Sequence, residues 1–280
     1  EWTLTDGSSY DPNIFYGSDV HAKYFNTHVT FEIPLSIAMD QLKSAFTSPE
    51  EMNRFVSMLF NAVGKAMDKY LDMIAMRALN NAIAGTIGHN GPNVIHLLTA
   101  YTADTGDATI TTAEQALASE SFLRYATSRI LEIEKQMAEL NSIFNQGTRA
   151  RQTPKEYLHF VLHSKFASRC DTYLKSQTFH NELVSIPGYE EVCKWQGFGT
   201  TGIWADTSSL DVIAKLDDGT TQAVKKANIV GIMFDRDALG YAEVNAWAMP
   251  TPMNPRNGQV NIFDHVNARA LMDMTEKAVV

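Results

Sequence analysis

The sequence predicts an α+β fold, and three observations support this class. A long helical pattern occupies the first third of the chain, a second helical stretch follows in the middle, and strand patterns gather in the last third. Helices therefore precede strands instead of alternating with them, which argues against a doubly wound parallel sheet. With 280 residues, 45% of them hydrophobic and 20% charged, the chain can bury a sizeable globular core.

The leading segment is predicted to be a loop or projecting arm that runs into a strand. Residues 1–20 place Asp-Gly, Asp-Pro and Gly-Ser breakers between aromatic side chains. The following stretch, HAKYFNTHVTFEIPLS, alternates, and its mostly apolar face consists of Phe25, Thr27, Val29, Phe31 and Ile33. We therefore expect an extended strand with one face toward other parts of the structure.

The clearest local signal is the start of a long helix. Ser48 is a predicted N-cap, Pro49 occupies the first helical position, and Glu51 completes a capping box. Apolar residues then recur at steps of three and four: Met52, Phe55, Val56, Leu59, Val63, Met67, Tyr70, Leu71 and Ile74. We expect a helix over 49–84 that ends at Gly85, a rod of roughly 50 Å that crosses an elongated, flat molecule.

The middle of the chain is predicted to hold further helices and one buried strand. The stretch GTIGHNGPN indicates a loop after the long helix. Thr112 and Gln115 then open a second helical stretch, whose apolar stripe continues up to Gly147. The stretch YLHFVLH, residues 157–163, indicates a short buried strand, and SKFASRCDTYLKS after it indicates a helix.

The last third of the chain is predicted to consist of strands. Asp217, Asp218 and Gly219 separate VIAKL from TQAVK as the turn of a hairpin. NIVGIMF is an almost unbroken apolar strand. Three prolines then interrupt the chain before alternation resumes from Val260: Pro250, Pro252 and Pro255.

Charge and cysteine content exclude several classes of protein. The net charge of −9 argues against a surface whose main task is to grip phosphates. No stretch approaches ~20 uncharged apolar residues, so no segment should span a membrane. The two cysteines, Cys170 and Cys193, have no zinc-site spacing and are expected to be free thiols. The chain starts without Met and ends in the apolar EKAVV, so we expect it to be a processed or trimmed piece of a longer polypeptide.

One glycine motif matches the spacing of dinucleotide-binding enzymes. Gly197, Gly199 and Gly202 in WQGFGTTGIW fit G-x-G-x-x-G. That motif needs an apolar strand before it and a helix after it, because the pyrophosphate binds the amides of the helix start. Neither is predicted here, so we expect a glycine loop anchored by Trp195 and Trp204.

Two further clusters could carry chemistry. His159 and His163 are four residues apart, but the surrounding strand pattern favours structural histidines over zinc ligands. Asp235 and Asp237 flank Arg236, which favours a turn held by ion pairs over an acid/base pair. The sequence therefore predicts no catalytic, cofactor-binding or metal-binding residues.

Three stretches resemble one family. They are Tyr24–Asn81, which looks like a strand leading into a long helix; Asn228–Gly240, NIVGIMFDRDALG; and Met249–Val280, with the turn Asn254-Pro255-Arg256. Together they resemble the major capsid proteins of tailed bacteriophages, with the Hong Kong 97-like capsid fold, nearest to those of small short-tailed phages of Gram-positive hosts. The resemblance implies an extended loop over part of residues 1–36, a peripheral domain with the spine helix over 37–94, an axial domain over 95–228, and late strands over 229–280 that return to the peripheral domain.

The resemblance also implies a structural function without enzymatic activity. Copies would assemble as pentamers and hexamers into an icosahedral or prolate shell of the virion, inside the host bacterial cytoplasm, around packaged double-stranded DNA that is not read in sequence. A scaffolding protein and a portal would be partners, and no membrane or cofactor would be needed. The alternatives are an encapsulin-like nanocompartment shell protein and a metal-dependent hydrolase that uses His159, His163 and Asp171. The aromatic arm would insert into another subunit or, alternatively, fold onto its own core.

Overall fold

The computed structural model describes residues 22–25, 28–38, 48–89, 91–147, 149–175, 188–196, 207–215, 220–256 and 258–280, and the single positions Gly7, Asn13, Ser44 and Phe46. The helices are α1 (Pro49–His89), α2 (Leu97–Thr105), α3 (Ala113–Ala118), α4 (Glu120–Ala138) and α5 (Ser164–Lys175), with a 3-10 helix at Lys155–Tyr157. The strands are β1 (His28–Ala38), β2 (Leu158–His163), β3 (Glu190–Val192), β4 (Leu210–Lys215), β5 (Thr221–Lys226), β6 (Gly231–Asp235), β7 (Leu239–Pro250), β8 (Gln259–Met272) and β9 (Ala278–Val279).

The long helix α1 begins where the sequence predicts and ends later. The Ser48 hydroxyl accepts a hydrogen bond from the Glu51 amide at 3.3 Å. The predicted end at Gly85 is wrong, because the helix continues to His89 and has 41 residues, which makes it about 62 Å long. Gly85 meets a packing requirement instead, since a Cβ there would lie 3.3 Å from the Met274 methyl carbon.

The second predicted helical stretch is two helices. Thr112 and Gln115 form the capping box that starts α3, with both reciprocal hydrogen bonds present. Ser119 then adopts an extended backbone, with φ −99° and ψ 120°, and caps α4 by accepting from the Phe122 amide. Glu139 is also extended, so α4 ends at Ala138, well before Gly147.

Four strands form a sheet in the order β3-β2-β6-β9, which we call the central sheet. Strand β2 is parallel to β3 and antiparallel to β6, and β6 is antiparallel to β9. Because successive side chains alternate, Phe160 and Leu162 enter one core with the helices α2 to α5. Val161 and Ile232 enter a second core with the last turns of α1 and with β4 and β5. The central sheet is therefore covered on both faces.

Three strands form a second antiparallel sheet in the order β1-β8-β7, which we call the long sheet. The alternation predicted from Val260 is part of β8, the middle strand. Val266 and Ala268 of β8 are fully buried, and one face of the sheet lies on α1, where the rings of Phe31 and Tyr70 are 5.4 Å apart. The strand predicted over residues 21–36 is present in part as β1, which begins only at His28 and continues to Ala38, so Phe25 precedes the strand.

The predicted hairpin is also present. Strands β4 and β5 pair antiparallel from Leu210 with Lys226 to Lys215 with Thr221. The turn residues 217–219 lie outside the described residues. Within the described part of the chain, no helix is long and apolar enough to cross a bilayer.

Candidate assembly surfaces

The two halves of α1 differ sharply in burial. Between Pro49 and Arg77 the only buried residue is Val63. From Ala78 to Ile87 almost every residue is buried, and Ile83 and Ala84 have no exposed surface. The cause is the packing. The second half lies in the core beneath the central sheet, whereas among the described residues the first half meets the long sheet on one side and the Phe46 ring at Phe55.

Large apolar side chains point to solvent from the first half of α1. Met58 is 56% exposed, and Phe60, Tyr70 and Met73 are also exposed. Burying a side chain of this size is worth about 1.5–3 kcal/mol, so the surface is a candidate for covering by a partner.

Strand β7 of the long sheet forms a second exposed surface. Every residue from Tyr241 to Pro250 is exposed, including Trp247 at 37% and Met249 at 59%. Glu243 is the only charged residue of the strand. A nearly uncharged, exposed strand rich in aromatic and methionine side chains is typical of an interface.

The face of the long sheet that points away from α1 carries a row of rings. His265 stacks on Trp247 with centroids 5.2 Å apart and an interplanar angle of 17°, and Phe263 lies 6.4 Å from the same imidazole. The His265 Nδ1 atom is 3.7 Å from a carboxylate oxygen of Glu32 on β1. Because residues alternate along β8, these side chains are opposite the buried Val266 and Ala268.

The histidines of the hydrolase alternative do not form a metal site. His159 stacks on Phe234, with centroids 5.7 Å apart, and His163 Nδ1 accepts from the Lys165 amide at 3.2 Å. Four residues of a strand separate them by about 13 Å. His163 contacts Trp195 in the second core, whereas Asp171 lies on α5, on the other face of the central sheet. Among the described residues, no group of three or more His, Cys, Asp or Glu could hold a metal ion.

The residues Asp235, Arg236 and Asp237 form the turn between β6 and β7. The buried Asp235 carboxylate accepts from the Asp237 amide at 2.9 Å. The Arg236 guanidinium lies 4.4 Å from the centre of the Tyr157 ring, and its Nε is 3.8 Å from the Asp237 carboxylate. The ring contact and the turn hydrogen bond occupy these side chains, as expected for a turn.

The cysteine prediction is confirmed, and the glycine motif lies outside the described residues. Cys170 and Cys193 are free thiols, the first buried and the second exposed. Burial raises the pKa of the Cys170 thiol to about 11. Next to the glycines, the indole of the fully buried Trp195 donates to the Ile229 carbonyl at 3.0 Å.

Sequence reasoning missed Lys277, which is fully buried. Its ammonium donates to the carbonyl oxygens of Met137 at 2.8 Å and Glu139 at 2.6 Å, at the C-terminal end of α4. Burial lowers the pKa of this lysine to about 8, although Asp235 and Glu139 act to raise it. Cations favour the C-terminal end of a helix, but no local pattern links residues this far apart in sequence.

Before β1, the structure describes residues 22–25 and the single positions Gly7 and Asn13. Lys23 forms an ion pair with Asp273 at 2.9 Å, so this segment is attached to the turn after β8. Burial acts to raise the pKa of Asp273, but hydrogen bonds from Thr275 and Lys23 outweigh it and lower that pKa. Tyr24 is 91% exposed. The aromatic residues nearer the start lie outside the described residues: Trp2, Tyr10, Phe15 and Tyr16.

The chain is similar to known proteins over nearly its whole length. A family model for the Phi29-like phage major capsid protein matches residues 4–280. A chain in the capsid structure of Staphylococcus phage Andhra has a TM-score of 0.50 and 11% identity over 91% of this chain and 70% of that chain. A chain in the structure of the head fiber and inner core protein gp22 of native bacteriophage P68 has a TM-score of 0.53 and 12% identity over the same shares. Among curated proteins, no sequence matches this one.

These matches decide between the functions considered from the sequence. The two solved structures confirm the α+β tailed-phage capsid fold. The family model covers nearly the whole chain, and it favours neither a nanocompartment protein nor a hydrolase. The chain therefore belongs to the Phi29-like phage major capsid protein family, and it is a structural protein of the virion's capsid shell, not an enzyme.

Proposed function

We propose that this subunit tiles an icosahedral or prolate shell as rings of five and six around packaged double-stranded DNA, with a scaffolding protein and a portal as assembly partners. The observation that carries the proposal is a pair of exposed apolar surfaces, one on the first half of α1 and one on the face of the long sheet that points away from α1. Among the described residues, no further helix or strand covers either surface. Symmetric copies can supply the missing cover.

The two parts of the molecule fit different places in such a shell. Residues 37–94, together with β7 and β8 beside α1, would form a peripheral domain that contacts neighbouring subunits. Residues 95–228 would form an axial domain around the five-fold and six-fold axes, completed by β6 and β9 of the central sheet. Residues 1–36 would belong to an extended loop that overlaps an adjacent subunit. The two cores of the central sheet support an axial domain that stays rigid while peripheral contacts adapt.

The negative charge of the chain supports a shell that encloses DNA without binding it tightly. The net charge of −9 argues against a surface whose main task is to grip phosphates. A wall that held DNA tightly would oppose both dense packing and later release. We therefore expect enclosed DNA to be held without contacts that depend on its sequence.

Electron microscopy of the expressed full chain, with and without its scaffolding protein, tests the proposal. We expect closed particles or rings of five and six subunits, and double-stranded DNA protected from nuclease in particles from infected cells. A monodisperse monomer under both conditions would contradict shell assembly. Particles filled with a cargo enzyme and no DNA would contradict the proposed content.

A pair of substitutions tests the exposed surface of α1. Phe60→Asp places a charge where we expect a neighbour, so particles should be lost while the free subunit keeps its helical circular dichroism. Ser128→Asp, at an exposed polar position of α4 outside this surface, is the control and should still give particles. A normal particle yield from Phe60→Asp would exclude this surface.

A further inference from the structure

A cavity of about 450 Å³ lies where the central sheet meets the helices α2, α3, α4 and α5. It reaches the first core, which is the set of buried apolar side chains that these helices share with β2 and β6, including Phe160 and Met233. Leu98 and Leu117 also line the cavity, and they pack against that core while keeping part of their surface exposed. The volume is within the range of roughly 300–1,000 Å³ that small-molecule sites in proteins have.

The cavity reaches solvent at one end of the central sheet. The amide of His163, the last residue of β2, donates to the carbonyl of Val230, just before β6, at 2.8 Å. Lys165 follows His163 in the first turn of α5, and Lys226 ends β5 shortly before Val230. Both lysines are exposed, and both line the cavity. The short connections to the hydrogen-bonded pair therefore keep the two lysines at the same end of the sheet.

The charge around the cavity is opposite in sign to that of the whole chain. The chain has 32 acidic residues and a net charge of −9, yet no described Asp or Glu lines the cavity. In the described part of the chain, neither Lys165 nor Lys226 forms an ion pair, whereas the neighbouring Lys225 pairs with Asp211 at 3.3 Å. This end of an apolar cavity is therefore favourable for an anionic group.

The N-terminal end of α2 adds to the positive potential. His96 precedes this helix and makes no side-chain capping bond, so no N-cap side chain accepts from its first amides. His96 and the first helical residues, Leu97, Leu98 and Thr99, all line the cavity. The dipole of a helix favours a negative charge near its N-terminus. The helix end and the two lysines therefore act in the same direction.

We propose that this cavity binds a single-chain amphiphile with an anionic head group, such as a free fatty acid. The alkyl chain would lie against Leu98, Leu117 and the first core, and the head group would pair with Lys165 and Lys226. A purely apolar molecule would leave both lysines without a partner, and an inorganic anion would leave the apolar lining in water. Only a molecule with both properties uses both parts of the cavity.

A bound amphiphile would contact α2 and α3 on one side and the central sheet on the other. A ligand that binds the folded state alone stabilises it by an amount that depends on the ratio of its concentration to its Kd. We therefore expect the amphiphile to raise the Tm of the subunit. The inference goes beyond shell assembly and does not depend on it.

Calorimetric titration of the free full-length chain with sodium laurate, below the concentration at which laurate forms micelles, tests the site. We expect one binding site per chain and a rise in Tm. Dodecanol and dodecyltrimethylammonium carry a similar alkyl chain without the negative head group, so each should bind roughly tenfold more weakly or worse. Equal binding of all three compounds would overturn the inference, because the alkyl chain alone would then be recognised.

Dodecyl phosphate distinguishes the two sources of an anionic head group. Tighter binding of laurate would identify a fatty acid as the ligand, and tighter binding of dodecyl phosphate would identify a single-chain lipid with a phosphate head group. Either order supports the site, because both compounds share the chemistry that the cavity recognises. Failure of both to bind would overturn the inference.

Lysine variants test the head-group contact. Lys165→Gln combined with Lys226→Gln removes both charges and should raise the Kd for laurate roughly tenfold or more. Lys225→Gln, next to Lys226 but outside the cavity, is the matched control and should leave the Kd unchanged. All three substitutions are at exposed positions, and the Tm without ligand shows that each variant folds. An unchanged Kd in the double variant would overturn the inference.

Assembled particles separate an amphiphile from a neighbouring subunit as the occupant. Laurate should bind particles as it binds the free subunit. Binding that is lost on assembly would show that another copy covers the cavity in the shell, and would overturn the inference. Because the other titrations use the free subunit, their results hold whether or not the chain forms a shell.

Discussion

The central sheet and the long sheet differ in how many of their faces the described part of the chain covers. Both faces of the central sheet lie under packed side chains, and residues such as Leu162 and Ile232 have no exposed surface. The long sheet covers one face on α1 and leaves Trp247 and Met249 in solvent. The comparison indicates that folding stability resides mainly in the first sheet, whereas the open face of the second is the surface that we propose neighbouring subunits cover.

The largest loss of folding stability is expected in the central sheet. Leu162→Ala removes a buried side chain between β2 and the helices, and should lower the free energy of unfolding by about 2–5 kcal/mol because a cavity remains. Urea denaturation of the unassembled subunit measures this change. A loss below about 1 kcal/mol would show that the central sheet is less tightly packed than the structure indicates.

A pH-dependent effect is expected from Lys277, which joins β9 to α4. Its pKa is lowered to about 8 in the folded chain, from an ordinary value of 10.5. Below pH 8 both states are protonated and the folded state carries the full cost of burying the charge. Between these two values the folded chain has already lost the proton that the unfolded chain still holds, so stability rises with pH by up to about 3 kcal/mol.

Lys277→Met tests this linkage because it has no proton to lose. Urea denaturation at pH 7.5 and pH 10 should show a rise in stability for the wild type that the variant lacks. At pH 7.5 the variant also leaves the Glu139 carbonyl without its donor, which costs about 1–3 kcal/mol. The same change with pH in both proteins would mean that Lys277 keeps an ordinary pKa.

Removal of a helix cap should cost more free energy of unfolding in a helix that packs on the first core than at the poorly buried end of α1. Thr112→Ala removes the capping box of α3, which packs on the first core through the buried Ala116, and should cost about 1 kcal/mol in global unfolding. Ser48→Ala removes the cap of α1 at its poorly buried end, where local fraying should make the global cost smaller. Chemical denaturation of both variants measures the difference, and a larger cost at Ser48 would contradict it.

The smallest effect on folding is expected at Trp247. Trp247→Ala removes an aromatic side chain from the open face of the long sheet, so the free subunit should lose less than about 1 kcal/mol. Particle yield should nevertheless fall, because aromatic anchors contribute strongly to interfaces. Unfolding and sedimentation measurements on the same preparation separate the two effects. A loss of several kcal/mol would show that the exposed face is part of the subunit's own core.

Local signals could be predicted from the sequence because they depend on neighbouring residues. The start of α1 at Ser48, the capping box at Thr112 and the alternation of β1 each involve contacts within a few positions. Gly85 was misread as a helix end because its packing against Met274 is a contact between distant parts of the chain. Lys277 was missed for the same reason.

The assembly surfaces could be predicted only in part. Met58 and Leu59 are both apolar and adjacent, and only the position of the long sheet makes the first exposed and the second partly covered. Periodicity identifies the apolar stripe of α1 that packs against its own chain. It does not identify which apolar side chains outside that stripe are exposed and available to another subunit. The sequence shows that β7 carries little charge. It does not show that β7 is an outer strand of the long sheet.

The uninterrupted course of α1 has a mechanical consequence. One helix is embedded in the second core at Ile83 and carries the exposed Met58 about 37 Å away along the same axis. No loop intervenes to absorb a displacement, since each turn is hydrogen-bonded to the next. We therefore expect a force applied near Met58 to be carried along the helix axis to the second core, less whatever the helix itself absorbs by bending.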